Sequence, residues 1–193
     1  MAGAGSRGTI SVVASPSPKA LAAEALFEYA LRTLGRSSLT ALELRSRLSR
    51  RAARPEDVGE VVDRLIRVGY LSDESVAESY SYFRKEYERL GERRVLRELM
   101  RRGVEETVAR EAVQQTYHHS DEAGLSRERL ERKLGEKYAE MRIENPKKVA
   151  RLFRDLVRAG FSSDKIVEAL REISSDSEWL DAFADHSDDE VFD

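Results

Sequence analysis

No cysteine occurs in the chain. Its absence excludes disulfides, thiol nucleophiles and zinc–thiolate sites, and it fits a reducing compartment. Histidine is scarce: His118, His119 and His186 are the only three. The adjacent pair point about 100° apart on a helix and so do not share a metal. No glycine stands in a GxxxxGK setting, and the one GxGxxG string, Gly3-Ala-Gly-Ser-Arg-Gly8, lies in a period-free stretch rather than at a strand-to-helix turn, so it is not read as a loop that cradles a phosphate. No apolar run approaches the ~20 residues that a membrane-spanning helix needs. No nucleophile, base and orienting group converge in the pattern. The expectation is a protein that is not an enzyme, carries no metal or cofactor, and is a cytoplasmic monomer.

An excess of one charge is also missing, with 33 Lys and Arg against 36 Asp and Glu. The balance hides an asymmetry. Residues 174–193 hold Asp176, Glu178, Asp181, Asp185, Asp188, Asp189, Glu190 and Asp193 and no Lys or Arg. Setting those eight acids aside leaves 28 acidic against 33 basic residues, an excess of five positive charges on residues 1–173. A mildly basic body with an acidic end suggests a nucleic-acid or acidic-protein partner, or a tail that screens the body.

What is present is helical periodicity. Residues 1–18 are rich in Gly, Ala, Ser and Pro, show no period, and read as a flexible arm. A first helix is expected from about Lys19 to Leu34, on Leu26, Ala30 and Leu34. Thr40 with Glu43 forms a capping box for a second, with Leu44 and Leu48 inward. Pro55 opens a third, with Val58, Val61, Val62, Leu65 and Ile66 as its buried stripe. A long helix follows a cap at Ser72 or Asp73. Its Val76, Tyr80, Phe83, Tyr87 and Leu90 read as an aromatic core face, preferred to a base-stacking platform. After Gly91 comes a helix that separates its faces cleanly: Arg93, Arg94, Arg97 and Arg101 within an arc of about 100°, Val95, Leu96, Leu99 and Met100 opposite. Gly103 ends it, and Val104, Val108, Ala112 and Val113 carry the next to about Tyr117. Leu125, Leu130, Leu134 and Tyr138 mark a helix to about Ala139. Asn145-Pro146 starts another with Val149, Leu152, Phe153, Leu156 and Val157 inside. The last carries Ile166, Val167, Leu170 and Ile173.

A helix ends alike at three places: Leu48-Ser-Arg-Arg51, Leu99-Met-Arg-Arg102 and Leu156-Val-Arg-Ala159. Self-similarity at about fifty residues marks a helical repeat protein. The expected fold is all-α: three tandem three-helix repeats in an elongated, curved body with disordered tails. The expected boundaries are an arm at 1–18, repeats at 19–71, 72–118 and 119–174, and an acidic tail at 175–193. Each repeat is expected to have a small core of its own.

Short motifs in this order resemble the RecX family. They are Gly69-Tyr-Leu-Ser-Asp73, then Arg84, then Gly91 with Arg94, Val95 and Glu98-Leu99, then Gly103-Val104. Thr40-x-x-Glu43-Leu44 in the first unit, and Lys137-Tyr138 and Arg158-x-Gly160-Phe161 in the third, are in the same style. The resemblance covers residues 22–173. It departs in an extra residue between 84 and 91, in Val76 where an aromatic is common, and in the acidic tail. It implies three tandem three-helix repeats and a regulator of DNA repair and homologous recombination. Such a regulator binds the RecA recombinase filament and inhibits its ATPase and strand exchange, with single- or double-stranded DNA as a further partner.

On that reading the expected contact face is Arg93, Arg94, Arg97 and Arg101, with Arg84 from the preceding helix and Lys133 and Lys137 from the third unit. Guanidinium groups suit bidentate pairing with carboxylate or phosphate. The competing reading is a helix-turn-helix-like DNA-binding protein. The acidic tail has three readings: a solvated end, a screen folded back on the basic face, or a docking segment built on Trp179, Leu180 and Phe183.

Overall fold

The computed structural model describes residues 20–135, 138, 142–174 and 180. Among them are nine α-helices and no strand. Two isolated parallel bridges, Leu21 with Ala52 and Ile143 with Ser174, tie down the edges of the first and third units.

The helices fall into three consecutive groups of three. The first is α1 (Ala23–Leu34), α2 (Ala41–Ser49) and α3 (Glu56–Arg67). The second is α4 (Asp73–Glu88), α5 (Glu92–Arg101) and α6 (Glu106–Tyr117). The third is α7 (Glu122–Leu134), α8 (Pro146–Ala159) and α9 (Ser163–Arg171). In each group the third helix packs on the other two. The repeated leucine explains why. Leu48, Leu99 and Leu156 occupy matching places in the middle helices, and all three are fully buried.

Local chemistry sets the boundaries. Thr40 and Glu43 form the expected capping box at α2. Ser72 accepts from the Ser75 amide at the start of α4, and Asn145 from the Lys147 amide at α8, where Pro146 fills the first turn. Chain reversals after α3, α5 and α8 place Gly69, Gly103 and Gly160 in the left-handed region, with φ of 77°, 85° and 93°.

Several expectations are corrected. Helix α1 begins at Ala23 rather than near Lys19, which lies outside the described residues, as does the arm at 1–18. Helix α7 stops at Leu134 because Gly135 takes φ 73°, so Tyr138 joins the core from beyond the helix. Ile66, Phe83 and Tyr87, expected inside, are 47%, 49% and 61% exposed. They sit at the borders of their helical faces, whose centres are held by Val62 and Leu65 on α3 and by Val76, Ala77 and Ser81 on α4.

The core is likewise not divided into three. The first unit has its own apolar cluster around Leu26, Leu44, Leu48, Val62 and Leu65. The second and third units share one continuous cluster, in which Leu90, Val95 and Leu99 meet Leu130, Leu156 and Phe161. Leu180 is fully buried in that shared cluster. Trp179 and Phe183, grouped with it in the docking reading, lie outside the described residues.

The three middle helices meet end to end. At one junction the hydroxyl of Thr40, the N-cap of α2, donates to the Arg102 carbonyl at the end of α5 at 2.6 Å. At the other, the amide of Gly91, the N-cap of α5, donates to the Ala159 carbonyl at the end of α8 at 2.8 Å. Thr40 and Gly91 each stand eight residues before their buried leucine, and Arg102 and Ala159 three after theirs. One interface is therefore used twice. At each junction the carbonyl end of one helix faces the amide end of the next, so the helix dipoles run head to tail.

Candidate partner-binding surface

The end-to-end middle helices carry about half of the exposed Arg and Lys among the described residues. On α2 and its C-cap Arg45, Arg47 and Arg50 are exposed; on α5, Arg93, Arg97 and Arg101; on α8, Lys147, Arg151, Arg154 and Arg158. The steps from 147 to 151, 154 and 158 are four, three and four residues, which keeps one stripe of α8 basic. Arg93 and Arg101 carry no ion pair among the described residues.

Arg84 and Arg94, two of the expected contact residues, share one internal partner. Glu98 on α5 is the hub, its side chain only 12% exposed. Arg94 Nε donates to it at 2.9 Å, the Tyr80 hydroxyl at 2.8 Å, and Arg84 Nε lies 3.1 Å away. Arg84 also donates to Tyr80 Oη at 2.6 Å and pairs with Glu88. Burial pushes the Glu98 carboxyl up, but Arg94, Tyr80 and Arg84 together outweigh it and hold the group below the ordinary carboxylate value. Arg84 and Arg94 thus tie α4 to α5 while each side chain stays partly exposed.

The junction of the first two units is polar as well. Arg102 holds Glu43 in a two-pronged pair, Nε to Oε1 at 2.8 Å and Nη2 to Oε2 at 2.9 Å. A carboxylate of Asp73 accepts from the Ala41 amide at 2.8 Å, capping α2 from the neighbouring unit.

Lys133 lies at a third place, a cleft of about 440 Å³ between the second and third units. It pairs there with Asp155, beside Arg94, Arg129, Arg132 and Arg158. Burial first, and then repulsion from Arg94, lowers the pKa of Arg129. Its guanidinium donates to the Glu88 carbonyl at 2.6 Å. Lys137 lies outside the described residues.

The seven expected residues therefore do not form one patch. Arg93, Arg97 and Arg101 are exposed on α5, Arg84 and Arg94 are half-buried around Glu98, and Lys133 lines the cleft with Arg94. Sequence reading missed Arg129, Arg132, Lys147, Arg151, Arg154 and Arg158. The four-three-four spacing on α8 was a signal for the last four; nothing local marks Arg129 or Arg132, which face the second unit only after α7 docks on it. Also missed was the exposed Phe83–Tyr87 stack, ring centroids 5.1 Å apart.

These features define an all-α tandem-repeat protein that presents exposed Arg and Lys on each of its middle helices. Among the described residues no cluster of His, Asp and Glu is placed to hold a metal, and no helix is long and apolar enough to cross a membrane. The family model described as RecX, second three-helix domain, matches residues 72–113. The regulatory protein RecX of Deinococcus radiodurans is 33% identical over 151 residues, which span 78% of this chain and 69% of that protein. The regulatory protein RecX of Mycobacterium sp. (strain KMS) is 29% identical over 147 residues, 74% of this chain and 78% of its own. The crystal structure of RecX from Lactobacillus salivarius superposes with a TM-score of 0.65, covering 78% of this chain and 96% of that one at 22% identity. The chain belongs to the RecX family, whose curated relatives are named regulatory proteins.

Proposed function

We propose that this protein binds the RecA recombinase filament and restrains its ATP hydrolysis and strand exchange in recombination and DNA repair. Family membership supports the regulatory role. The observation that carries the contact is the pair of end-to-end junctions that join α2, α5 and α8, which we read as a row of exposed Arg and Lys suited to a long acidic partner. Arg93, Arg97 and Arg101 form its centre. Arg84 and Arg94 fix α4 against α5 behind that row. Lys133 adds a contact in the cleft between the second and third units, and Lys137 is kept as a contact from the sequence alone.

The test is to reverse Arg93, Arg97 and Arg101 to Glu together. These side chains are exposed, so helicity and stability should hold, while inhibition of the RecA ATPase falls by at least about tenfold in effective concentration. Unchanged inhibition by a folded variant would rule this face out.

A second reading is direct DNA binding in the manner of helix-turn-helix proteins. The exposed Phe83–Tyr87 stack near basic side chains favours it. The spread of Arg over three middle helices, with no single recognition helix, weighs against it. A salt series on duplex and single-stranded DNA separates the two. Sequence-selective duplex binding that falls steeply with salt would favour the second reading.

A further inference from the structure

We propose that the cleft between the second and third units is a binding site for a carboxylate-rich segment, and that in the free protein its occupant is this chain's own acidic stretch, residues 181–193.

The cleft is unbalanced in charge. Five cations line it: Arg94, Arg129, Arg132, Lys133 and Arg158. Among the described residues two carboxylates, Glu88 and Asp155, face them. How those cations are held matters more than the count. Arg129 and Arg132 donate to backbone carbonyls, those of Glu88 and Tyr87. A carbonyl satisfies a guanidinium N–H but does not cancel its charge, so net positive charge is left in a concave, partly desolvated place. The cleft already shows which ligand it takes. Asp155 is gripped there by both Lys133 and Arg158, and further carboxylates would find Arg129 and Arg132 beside it.

The occupant is argued from tether, reach and charge. Leu180 is fully buried in the apolar cluster that includes Leu130, Leu152 and Leu156, and these three leucines also line the cleft. The acidic stretch therefore departs from the same body that carries the cleft. Thirteen residues follow Leu180, six of them acidic (Asp181, Asp185, Asp188, Asp189, Glu190 and Asp193), with no Lys or Arg. Fully extended they reach roughly 43 Å, more than the width of a unit built from helices of 9–16 residues. A tethered segment acts at an effective concentration on the order of millimolar, so weak ion pairs suffice to favour it over an untethered acid. Occupied, the cleft withdraws Lys133 and Arg94 from any acidic partner; a partner that binds there must displace the stretch.

The test uses the full chain and needs no RecA, so its outcome is independent of the function proposed above. Carbodiimide coupling joins a carboxylate to an amine in direct contact. In dilute wild-type protein, mass spectrometry should find Lys133 joined within one chain to an acid of residues 185–193, alongside Lys133–Asp155. In a variant with Asp185, Asp188, Asp189 and Glu190 changed to Asn or Gln, a fluorescent oligo-aspartate peptide should bind at least about tenfold more tightly than to wild type. Adding Arg132→Glu and Lys133→Glu should abolish that gain. Coupling of Lys133 to Asp155 alone, coupling only between chains, or equal peptide binding by wild type and the neutralised variant would each overturn the proposal.

Discussion

Gly91 and Gly160 approach so closely that neither has room for a side chain. A Cβ on Gly91 would lie 2.4 Å from the Gly160 carbonyl carbon and 2.7 Å from the Phe161 nitrogen. A Cβ on Gly160 would lie 2.4 Å from the Arg94 nitrogen. Both obstacles are backbone, which does not swing aside. This contact lets the start of α5 seat on the end of α8 and lets the second and third units share one core.

Gly91→Ala should therefore cost about 1–3 kcal/mol by forcing the two backbones apart. Gly160→Ala should cost at least as much, because it adds the penalty of φ 93° for a residue with a Cβ. Urea unfolding of each variant against wild type checks this. An unchanged midpoint for Gly91→Ala would mean that the junction does not form in solution.

Gly59 is the opposite case. It lies inside α3, is exposed, and a Cβ there meets nothing within 4 Å. Gly59→Ala removes backbone freedom from the unfolded chain and adds a good helix former, so the gain should be about 0.5–1 kcal/mol. The same urea titration, with a higher midpoint at unchanged slope, is the expected result.

The Glu43–Arg102 pair makes the first junction sensitive to acid. The Arg102 guanidinium is the chief reason that the Glu43 carboxyl sits below its ordinary value of 4.5. A carboxyl depressed on folding adds stability that is complete above its unfolded value and fades as pH falls through the lower folded one. Stability should hold from neutrality to about pH 5 and decline below it. Glu43→Gln should cost about 1–2 kcal/mol at pH 7 and flatten the decline between about pH 5 and 3. A profile as steep in the variant as in wild type would assign the acid response to other carboxylates, with Glu98 the next to examine.

How much of this was legible depended on how far along the chain the cause lay. The Thr40–Glu43 box spans four residues and was visible. The Leu48, Leu99 and Leu156 recurrence gave the repeat, because each unit must bury the same position. The partner of Glu43 stands 59 residues away at Arg102, and no local pattern reveals which of the 26 arginines will land there. Arg84 and Arg94 looked like free charge for the same reason: a helical wheel shows where a side chain points, not that Glu98 waits beside it. The shared core of the second and third units was hidden too, since periodicity marks a buried face without naming what covers it.

Phe83 and Tyr87 give the clearest check on that limit. Their spacing marked them as core, yet they stand half-exposed and stacked on one another at the edge of α4. A core Phe or Tyr cut back to Ala leaves a cavity and costs about 3–5 kcal/mol. An exposed pair loses only mutual stacking and partial burial, about 0.5–1.5 kcal/mol for the two together. The variant carrying Phe83→Ala and Tyr87→Ala should unfold within that margin of wild type by urea titration. Val95→Ala, at a site with 0% exposure, provides the contrast and should cost more, although it removes far fewer atoms. If the double variant instead loses 3 kcal/mol or more, the two rings are covered in solution, and the surface drawn here on α4 is an interior one.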